Sequence, residues 1–403
     1  MNVPMSSPDI TPVEVEAINA VLATPHLSLG PQLAAFEQEF ARLLGTRHAA
    51  GVNAGTSGLH LCIIASGVSE GDLVITTPFS FVASANCILY ERAIPVFVDV
   101  DELTGNINPH LVAEATRDLA QGGRAAQRWL PRSVKRQTST VKGLRAILPV
   151  HAFGQPAHMD PILETAREHR LAVIEDACEA IGAEYKGRRA GTLGAAGVFA
   201  FYPNKQMTTG EGGMIVTDRA DWDALFRSLR NQGRDVFDAW LNHSRLGYNY
   251  RLDEMSAALG LAQLRRLEEL LARRERVAGW YTDRLRGIEG VRVPYLAPTT
   301  TRMSWFVYVI RLAPGIDRGA VMSALQAQGI PSRPYFTPIH LQPFYADKFG
   351  YRRGDYPVTE ALGDTSLALP FSSIMTEEQV SFVCEHLIRA VQQEAVHAQP
   401  ASR

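Results

Sequence analysis

The chain has 403 residues, 46% of them hydrophobic, and its formal net charge at pH 7 is −2. These values are typical of a globular protein of two or three domains, and a charge so close to zero gives no reason to expect a nucleic-acid or membrane partner. The first ten residues, MNVPMSSPDI, have neither the basic segment nor the apolar core of a signal peptide, and no apolar run is long enough to span a bilayer. The 4 cysteines form no CxxC pair and the 11 histidines no HExxH motif, which favours a reducing cytoplasm and argues against a metal site.

Alternating strands and helices are predicted in the first 250 residues. The run TPVE that begins at Thr11 is a capping box with proline at the first helical position, and PQLAAFEQEFARLLG is an amphipathic helix that ends at Gly45. The strand-like runs span residues 73–77, 94–100, 146–150, 171–176 and 197–202, and the helix-length segments between them include 57–67, 82–92 and 158–169. Continuous apolar strands are typical of a mainly parallel sheet that is covered by helices on both faces.

The rest of the chain predicts a smaller domain. A long helical segment spans residues 251–287, and the strand SWFVYVIRL and the helices DRGAVMSALQAQG and TEEQVSFVCEHLIRAVQQ follow it. We therefore predict an α/β fold with a large domain over residues 1–250, whose mixed sheet is mainly parallel, and a smaller C-terminal α/β domain over 251–392. Residues 393–403 are expected to form a disordered tail.

One segment is unusually basic. Between residues 117 and 145 there are eight basic side chains and a single acid, Asp118. The segment is either a solvated insertion loop or a contact for an anionic ligand or partner subunit, and the first interpretation is the more common one for charged segments.

Candidate site residues follow several predicted strands. VNAGTSGLHL, residues 52–61, is a turn that opens a helix, and the N–H groups of Thr56, Ser57 and Gly58 could hold a phosphate there. The alternative is an ordinary helix cap. The segment matches neither the GxxxxGK[ST] phosphate loop nor the GxGxxG dinucleotide motif, so it predicts no nucleotide-dependent dehydrogenase.

An acid and an aromatic pair follow two other strands. Asp176 ends the strand of VIEDACEAIGA, where it either caps the next turn or pairs with a cation such as a protonated pyridine nitrogen. Phe79 and Phe81 in TTPFSFVASAN either pack in the core or stack on a flat cofactor ring.

A lysine lies between two predicted core strands. In FYPNKQMTTGEGG, Lys205 follows an apolar strand and precedes a Gly- and Thr-rich loop that leads into the strand GGMIVTD. A lysine is usually a solvated surface charge, but an amine in an apolar site loses solvation, and its neutral form can attack a carbonyl. A phosphate cradle, an aromatic plate, a carboxylate and an amine together match the phosphate, ring face, ring nitrogen and aldehyde of pyridoxal 5′-phosphate (PLP).

The sequence resembles the DegT-type family of PLP-dependent sugar aminotransferases, which has the aspartate aminotransferase-like fold type I. The resemblance covers nearly the whole chain and rests on NAGTSGLHL, TPFSFVASAN, PVFVDVD, LPVHAFGQPAHMDPI, IEDACEAIGAEYKGRRAGTLG, KQMTTGEGGMIVTD and LGYNYRLDEMSAALG, with LGPQLAAFEQEFARLLG before them. So many motifs in the same order are specific for the family but not for the substrate. Some relatives replace the lysine by histidine and dehydrate sugars, whereas this chain keeps the lysine, which favours transamination.

The resemblance implies a role for each candidate. Lys205 would bind the cofactor aldehyde covalently, Asp176 the pyridine nitrogen and Phe81 the ring face. Thr56 and Ser57 would hold the phosphate.

Two further positions depart from the usual pattern of the family. Glu179 stands where relatives usually place Gln or His near the ring hydroxyl. Ala200 stands where many relatives have a phosphate-binding Ser, so one hydroxyl that would bind the phosphate is expected to be missing.

GYNYR resembles the segment by which a neighbouring subunit reaches the phosphate, through Asn249 or Arg251.

The resemblance also implies the substrates. YFTPIHLQP resembles a stretch near the substrate, with His340 and Arg333 as contacts. We expect a cytoplasmic homodimer with shared active sites, in amino sugar and polysaccharide biosynthesis. It would move an amino group, with glutamate as donor, to a nucleotide-linked keto-deoxysugar. A keto-cyclitol acceptor and a non-catalytic sensor or scaffold on the same fold are the alternatives.

Overall fold

The computed structural model describes residues 1–135, 141–235 and 242–398. A seven-stranded sheet has the order β1-β9-β8-β5-β4-β2-β3, and within it only β9 runs against the other strands. Its strands are β1 (His48–Val52), β2 (Leu73–Thr76), β3 (Ile94–Phe97), β4 (Leu144–Ile147), β5 (Ala172–Asp176), β8 (Ala196–Ala200) and β9 (Gly213–Thr217). The predicted α/β fold with a mainly parallel mixed sheet is confirmed.

Helices cover both faces of this sheet. Neighbouring residues of β5 show why its sequence is continuously apolar. Val173 packs in the same cluster as Ile162 of α8 (Met159–His169), whereas Ile174 packs on the opposite face with Leu59 of α3 (Gly55–Ala65). The helices around the sheet are α1 (Pro12–Leu22), α2 (Pro31–Leu44), α3 (Gly55–Ala65), α4 (Ala83–Tyr90), α5 (Pro109–Gln121), α6 (Gly123–Gln127), α7 (Arg132–Lys135), α8 (Met159–His169) and α9 (Ala220–Arg230).

The predicted helix boundaries of the N-terminal region are confirmed. Thr11 caps α1, and its N–H donates to Oε2 of Glu14 at 2.7 Å, which completes the capping box. α2 ends before Gly45, whose φ of 72° is the left-handed conformation that glycine adopts readily. β1 was not predicted, because its sequence HAAGV has little strand propensity and its conformation is fixed by pairing with β9.

The C-terminal part of the chain builds a second, antiparallel sheet. Its order is β10-β12-β14-β13, and a third small sheet, β11-β6-β7, also forms. The remaining strands are β6 (Glu184–Tyr185), β7 (Arg188–Arg189), β10 (Val291–Arg292), β11 (Thr300–Arg302), β12 (Tyr308–Leu312), β13 (Arg333–Pro334) and β14 (Ser366–Leu369). The remaining helices are α10 (Glu254–Arg265), α11 (Leu267–Leu285), α12 (Arg318–Ala327), α13 (Pro343–Phe349), α14 (Pro357–Thr365) and α15 (Glu377–Ala398), and short 3-10 turns span 152–154 and 339–341.

Two C-terminal features differ from the prediction. The single long helix over 251–287 is two helices with a break at Arg266, and α15 continues to Ala398, so that residues 393–398 are helical rather than a disordered tail. Residues 399–403 lie outside the described residues. The domain boundary at residue 250 stays a prediction, since Leu261 of α10 packs with the large sheet and Val3 packs with the C-terminal cluster.

Most described charges of the basic segment have partners within the chain. Arg128 pairs with Glu114 at 2.7 Å, Arg132 with Asp355, and Arg145 with the buried carboxylate of Asp72 at 3.2 Å. Residues 136–140 of the segment lie outside the described residues. In the ranges that the structure describes, no helix is long and apolar enough to cross a membrane, and no three His, Cys, Asp or Glu side chains are grouped for a metal ion.

Candidate active site

A cavity of about 410 Å³ lies at the carboxyl edge of the parallel strands. β5 ends at Asp176 and β8 ends at Ala200, and both residues line this cavity. The segment after β2 contributes Phe81, and the loop between β8 and β9 contributes Lys205. Parallel strands end at the same edge of a sheet, so side chains that are distant in sequence meet here.

Lys205 lies in a turn in which its own N–H donates to the carbonyl oxygen of Tyr202 at 2.9 Å. The lysine side chain is 13% exposed, and its Nζ lies 3.6 Å from Oε1 of Glu179. The same Nζ lies 3.7 Å from the centroid of the Phe306 ring. The amine is therefore held between a carboxylate and an aromatic ring, and the interpretation of Lys205 as a solvated surface charge does not apply.

Asp176 is buried at the end of β5, and each of its carboxylate oxygens has a donor. Oδ1 accepts the N–H of Cys178 at 3.1 Å, which is the capping bond that the sequence left as an alternative role. Oδ2 accepts the hydroxyl of Ser84 at 2.9 Å, and the Ser84 Oγ lies 2.8 Å from that of Ser80. The carboxylate thus caps a turn and also lines the cavity, so the two roles are compatible.

The N-terminus of α3 opens into the cavity without a side-chain cap. Its N-cap residue is Ala54, and the first intrahelical bond runs from the Gly58 N–H to the Ala54 carbonyl oxygen. The N–H groups of Gly55, Thr56 and Ser57 therefore have no acceptor within the helix. Such a group of amides at a helix N-terminus is a ready anion site.

Close packing between α3 and β8 explains why Gly55 and Ala200 have no larger side chains. A Cβ on Gly55 would lie 2.8 Å from both the Ala200 Cβ and the Cys178 Sγ, so a side chain there would push the helix away from β8. Thr56 lines the cavity, whereas the Ser57 hydroxyl donates to Oδ1 of Asn53 at 2.7 Å and borders a neighbouring groove.

The two phenylalanines after β2 are clearly different. Phe79 is fully buried and packs edge-on against Phe153 and Phe336. Phe81 lines the cavity and leaves 65% of its surface exposed. Core packing is therefore the role of Phe79, and Phe81 is the ring that is available to a ligand.

Glu179 is buried beside Lys205. Its Oε2 accepts the N–H of Phe153 at 2.8 Å. Burial raises the pKa of Glu179 above its ordinary value of 4.5, against the lowering effect of the Lys205 charge and the Phe153 amide. Burial is also the main cause that raises the pKa of Tyr335, which lines the cavity, and the charge of Glu179 adds to it.

Two residues that the resemblance placed near the substrate lie elsewhere. His340 is fully buried, and its Nε2 lies 2.9 Å from Oε1 of Glu360, so it does not reach the cavity. Arg333 is exposed on β13, its guanidinium donates to the Ser332 carbonyl oxygen at 2.9 Å, and it is not among the described residues that line the cavity. The expected substrate contact through His340 stays a prediction, and in this structure the imidazole is used in a buried pair with Glu360.

The segment expected to reach a neighbouring subunit contacts its own chain. The Arg251 guanidinium donates to Oδ1 of Asn231 at 3.1 Å, and the Asn249 carbonyl oxygen accepts the Asn53 amide at 3.5 Å. Neither residue is among the described residues that line the cavity. Their role toward a second subunit stays a prediction.

Several residues in and around the cavity were not predicted from the sequence. Ser84 donates to Asp176 from outside the cavity lining, and Phe306 and Tyr335, which line the cavity, come from the C-terminal part of the chain. Arg274 is buried behind the lysine loop, and a signal for it exists, since it stands on the apolar stripe of α11 with Leu270 and other buried residues.

Comparisons with known proteins identify the family of the chain. The family model of the DegT/DnrJ/EryC1/StrS aminotransferase family matches residues 8–388. A GDP-perosamine synthase of Caulobacter vibrioides is 41% identical over 360 residues, which are 88% of this chain and 89% of that protein. The spore coat polysaccharide biosynthesis protein SpsC of Bacillus subtilis is 34% identical over 396 residues, 95% of each chain. The solved structure of DesV from S. venezuelae superposes with a TM-score of 0.84 at 32% identity and covers 97% of this chain and 99% of its own.

The fold and the family together define a PLP-dependent aminotransferase of fold type I. The chain belongs to the DegT/DnrJ/EryC1/StrS aminotransferase family. The residues present fit the cofactor, since the cavity presents an amine, a buried carboxylate, an exposed phenylalanine and an uncapped helix N-terminus. A non-catalytic role on the same fold is not retained, because the family is one of aminotransferases.

Proposed function

We propose that Lys205 is the residue that would hold the cofactor aldehyde, and that its amine, when free, would take up the proton from the donor Cα. When bound, PLP supplies an electron sink for the bond that is broken at the donor Cα. The observation that carries this proposal is the placement of Lys205, Asp176 and the uncapped α3 N-terminus around one cavity.

The other residues would bind and orient. The Asp176 carboxylate would face the pyridine nitrogen and favour its protonated form. Phe81 would cover one face of the ring. The amides of Thr56 and Ser57 and the Thr56 hydroxyl would hold the phosphate, since the Ser57 hydroxyl donates to Asn53 and Ala200 offers no hydroxyl of its own.

Glu179 would lie near the ring hydroxyl. An ionised carboxylate only accepts hydrogen bonds, so one of the two oxygens must carry a proton if they are in contact. The raised pKa of Glu179, caused mainly by burial, supports a shared proton in that position.

We infer a nucleotide-linked keto-deoxysugar as acceptor and glutamate as donor. The support for the acceptor comes from two GDP-perosamine synthases, at 41% identity in Caulobacter vibrioides and 33% in Escherichia coli O157:H7, whose name states a GDP-linked product, and the donor rests on the family resemblance alone. SpsC, named for spore coat polysaccharide biosynthesis, supports a place in amino sugar and polysaccharide synthesis. We further propose a cytoplasmic homodimer in which Arg251 or Asn249 of each copy reaches the phosphate of the other.

The test of donor and acceptor uses the purified protein loaded with PLP. Glutamate should bleach the yellow absorbance, and a panel of keto sugars linked to GDP, UDP or dTDP should then restore it in one case, with the aminated product identified by mass spectrometry. Keto-cyclitols in the same panel test the second acceptor class. Restoration by a cyclitol alone, or bleaching by other amino acids but not glutamate, would overturn the corresponding assignment.

A further inference from the structure

Arg274 is a buried charge for which the proposed chemistry has no use. It lies on α11, is 1% exposed, and no carboxylate among the described residues pairs with its guanidinium. Burial lowers the pKa of Arg274 to about 10. Arginines are rarely buried without a counter-ion, because removing an isolated cation from water is costly. A specific set of acceptors must therefore compensate for it.

Those acceptors are four backbone carbonyl oxygens in two segments. One guanidinium nitrogen of Arg274 donates to the oxygens of Asn204 at 3.3 Å and Lys205 at 2.7 Å. The other terminal nitrogen donates to the oxygens of Trp305 at 3.3 Å and Phe306 at 3.0 Å. The guanidinium is thus a bridge between the lysine turn and the segment that leads into β12.

The two segments carry the two groups that meet in the cavity. Lys205 provides the amine, and Phe306 provides the ring whose centroid lies 3.7 Å from Nζ. Gln206, the next residue in the chain, forms a second bridge between these parts. Its side-chain amide donates to the Glu179 carbonyl oxygen at 2.6 Å and to the Ser304 hydroxyl at 2.8 Å. The amine, its carboxylate neighbour and its aromatic neighbour are therefore connected through backbone groups.

We propose that Arg274 is a positioning residue that fixes the Lys205 amine against Phe306 and Glu179. The inference rests on the proposed role of Lys205. The position requires arginine because the rigid planar guanidinium directs donors to two segments at once, whereas the single side-chain nitrogen of lysine can bond well to only one of them. A purely structural role on α11 would be filled better by an apolar side chain, which would also leave no charge buried.

The test compares Arg274→Lys and Arg274→Met with two controls on the same helix. Leu270→Ala removes a fully buried side chain and serves as the control for the loss of stability expected of the Arg274 variants. Arg276→Met removes an exposed arginine and serves as the control for the loss of charge. Each variant is loaded with PLP, and kcat and KM are measured with glutamate as donor at a temperature below the unfolding midpoint of the variant. The cofactor is then trapped on its lysine by borohydride, and the modified peptide is quantified by mass spectrometry.

We expect both Arg274 variants to lose about 10- to 100-fold in kcat, because a displacement near 1 Å at a reacting group has an effect of this size, while KM for glutamate changes less than about twofold. The rate of trapping at the lysine should fall in parallel. Leu270→Ala and Arg276→Met should keep kcat within about twofold of the wild type, although the first unfolds at lower temperature.

Two distinct failures can be told apart. If the trapped lysine of the wild type is not Lys205, the proposed function is wrong and the role of Arg274 falls with it. If Lys205 is trapped but kcat follows thermal stability equally in Arg274→Lys and Leu270→Ala, only the positioning role is overturned. Arg274→Lys keeps the charge and nearly the length of the side chain, so the comparison remains available if Arg274→Met does not fold.

Discussion

Replacing Asp176 by asparagine removes a charge from the candidate site and almost no volume. One of the two hydrogen bonds survives, because the amide oxygen of asparagine can still accept the Cys178 N–H. At the second oxygen, the new amide group would face the Ser84 hydroxyl, which must turn from donor to acceptor and give up its present bond. The loss of one such bond amounts to about 0.5–1.5 kcal/mol, and the removal of a buried charge offsets part of it. We therefore expect the free energy of unfolding to change by less than about 1.5 kcal/mol.

The expected effect on catalysis is much larger. A carboxylate near a cation, at about 4 Å and an effective dielectric constant of about 20, contributes about 4 kcal/mol. This equals about three pKa units of the group that it keeps protonated, or about a thousandfold in the protonated fraction. We expect the rate of the glutamate half-reaction of Asp176→Asn to fall by about this factor, since the neutral amide no longer favours a protonated ring nitrogen.

The assay follows the loss of the bound cofactor absorbance after mixing with glutamate, together with urea unfolding of the same preparation. Ser84→Ala is the matched control, because it removes a donor to Asp176 but leaves the charge in place. It should lose stability and little activity. A wild-type rate in Asp176→Asn would show that this carboxylate only caps the turn at Cys178, and the assignment of the site would have to be abandoned.

Three further predictions concern the amine, its neighbour and the phosphate cradle. Lys205→Ala should lose at least about 10²–10⁴-fold in turnover. If the site is shared between two copies, co-refolding Lys205→Ala with Arg251→Ala should restore part of the activity. Mixed dimers that are confirmed by native mass spectrometry but have no activity would contradict sharing. Because the pKa of Glu179 is raised above 4.5 in the folded protein, the folded state holds more protons than the unfolded state just above pH 4.5, and the free energy of unfolding should fall as the pH rises through that window. Glu179→Gln should remove this part of the slope in urea unfolding of the cofactor-free protein, and an unchanged slope would place the cause elsewhere. Ala200→Ser adds the hydroxyl that the family resemblance leads us to expect, and it should tighten PLP binding by about 0.5–1.5 kcal/mol in a fluorescence titration, with no gain if the phosphate lies away from β8.

The sequence predicted those parts of the fold that short-range patterns determine. The continuous apolar run of β5 is visible because Val173 and Ile174 are buried on opposite faces, and the start of α1 is visible because the capping box at Thr11 is local. The break between α10 and α11 is not visible, because the helical pattern continues through Arg266. At the break, the Arg266 guanidinium pairs with Asp9 at 3.1 Å. Asp9 is distant in sequence, so a local pattern does not reveal this contact.

The site was predictable to the extent that its residues follow strands. Asp176 ends a predicted strand, Lys205 and Phe81 each follow one, and the parallel sheet brings these strand ends together. The buried pair of His340 with Glu360 was not predictable, because it depends on the packing of the C-terminal part of the chain.

The electrostatics of the cavity depend on both parts of the chain. The segments that follow the strands and the α3 N-terminus supply Asp176, Glu179, Lys205 and Thr56 to the cavity, whereas Phe306, Tyr335 and Phe336 supply its apolar wall from the C-terminal part. Burial is the largest cause of the raised pKa of Glu179, and the Lys205 amine lies against one of these rings. The protonation of the carboxylate is therefore expected to depend on how closely the C-terminal wall is held to the lysine turn. Arg274 is one of the residues that hold it, because its guanidinium bonds to the carbonyl oxygens on both sides. Replacing Arg274, which substitutes no residue of the cavity lining, should consequently alter the chemistry of the site.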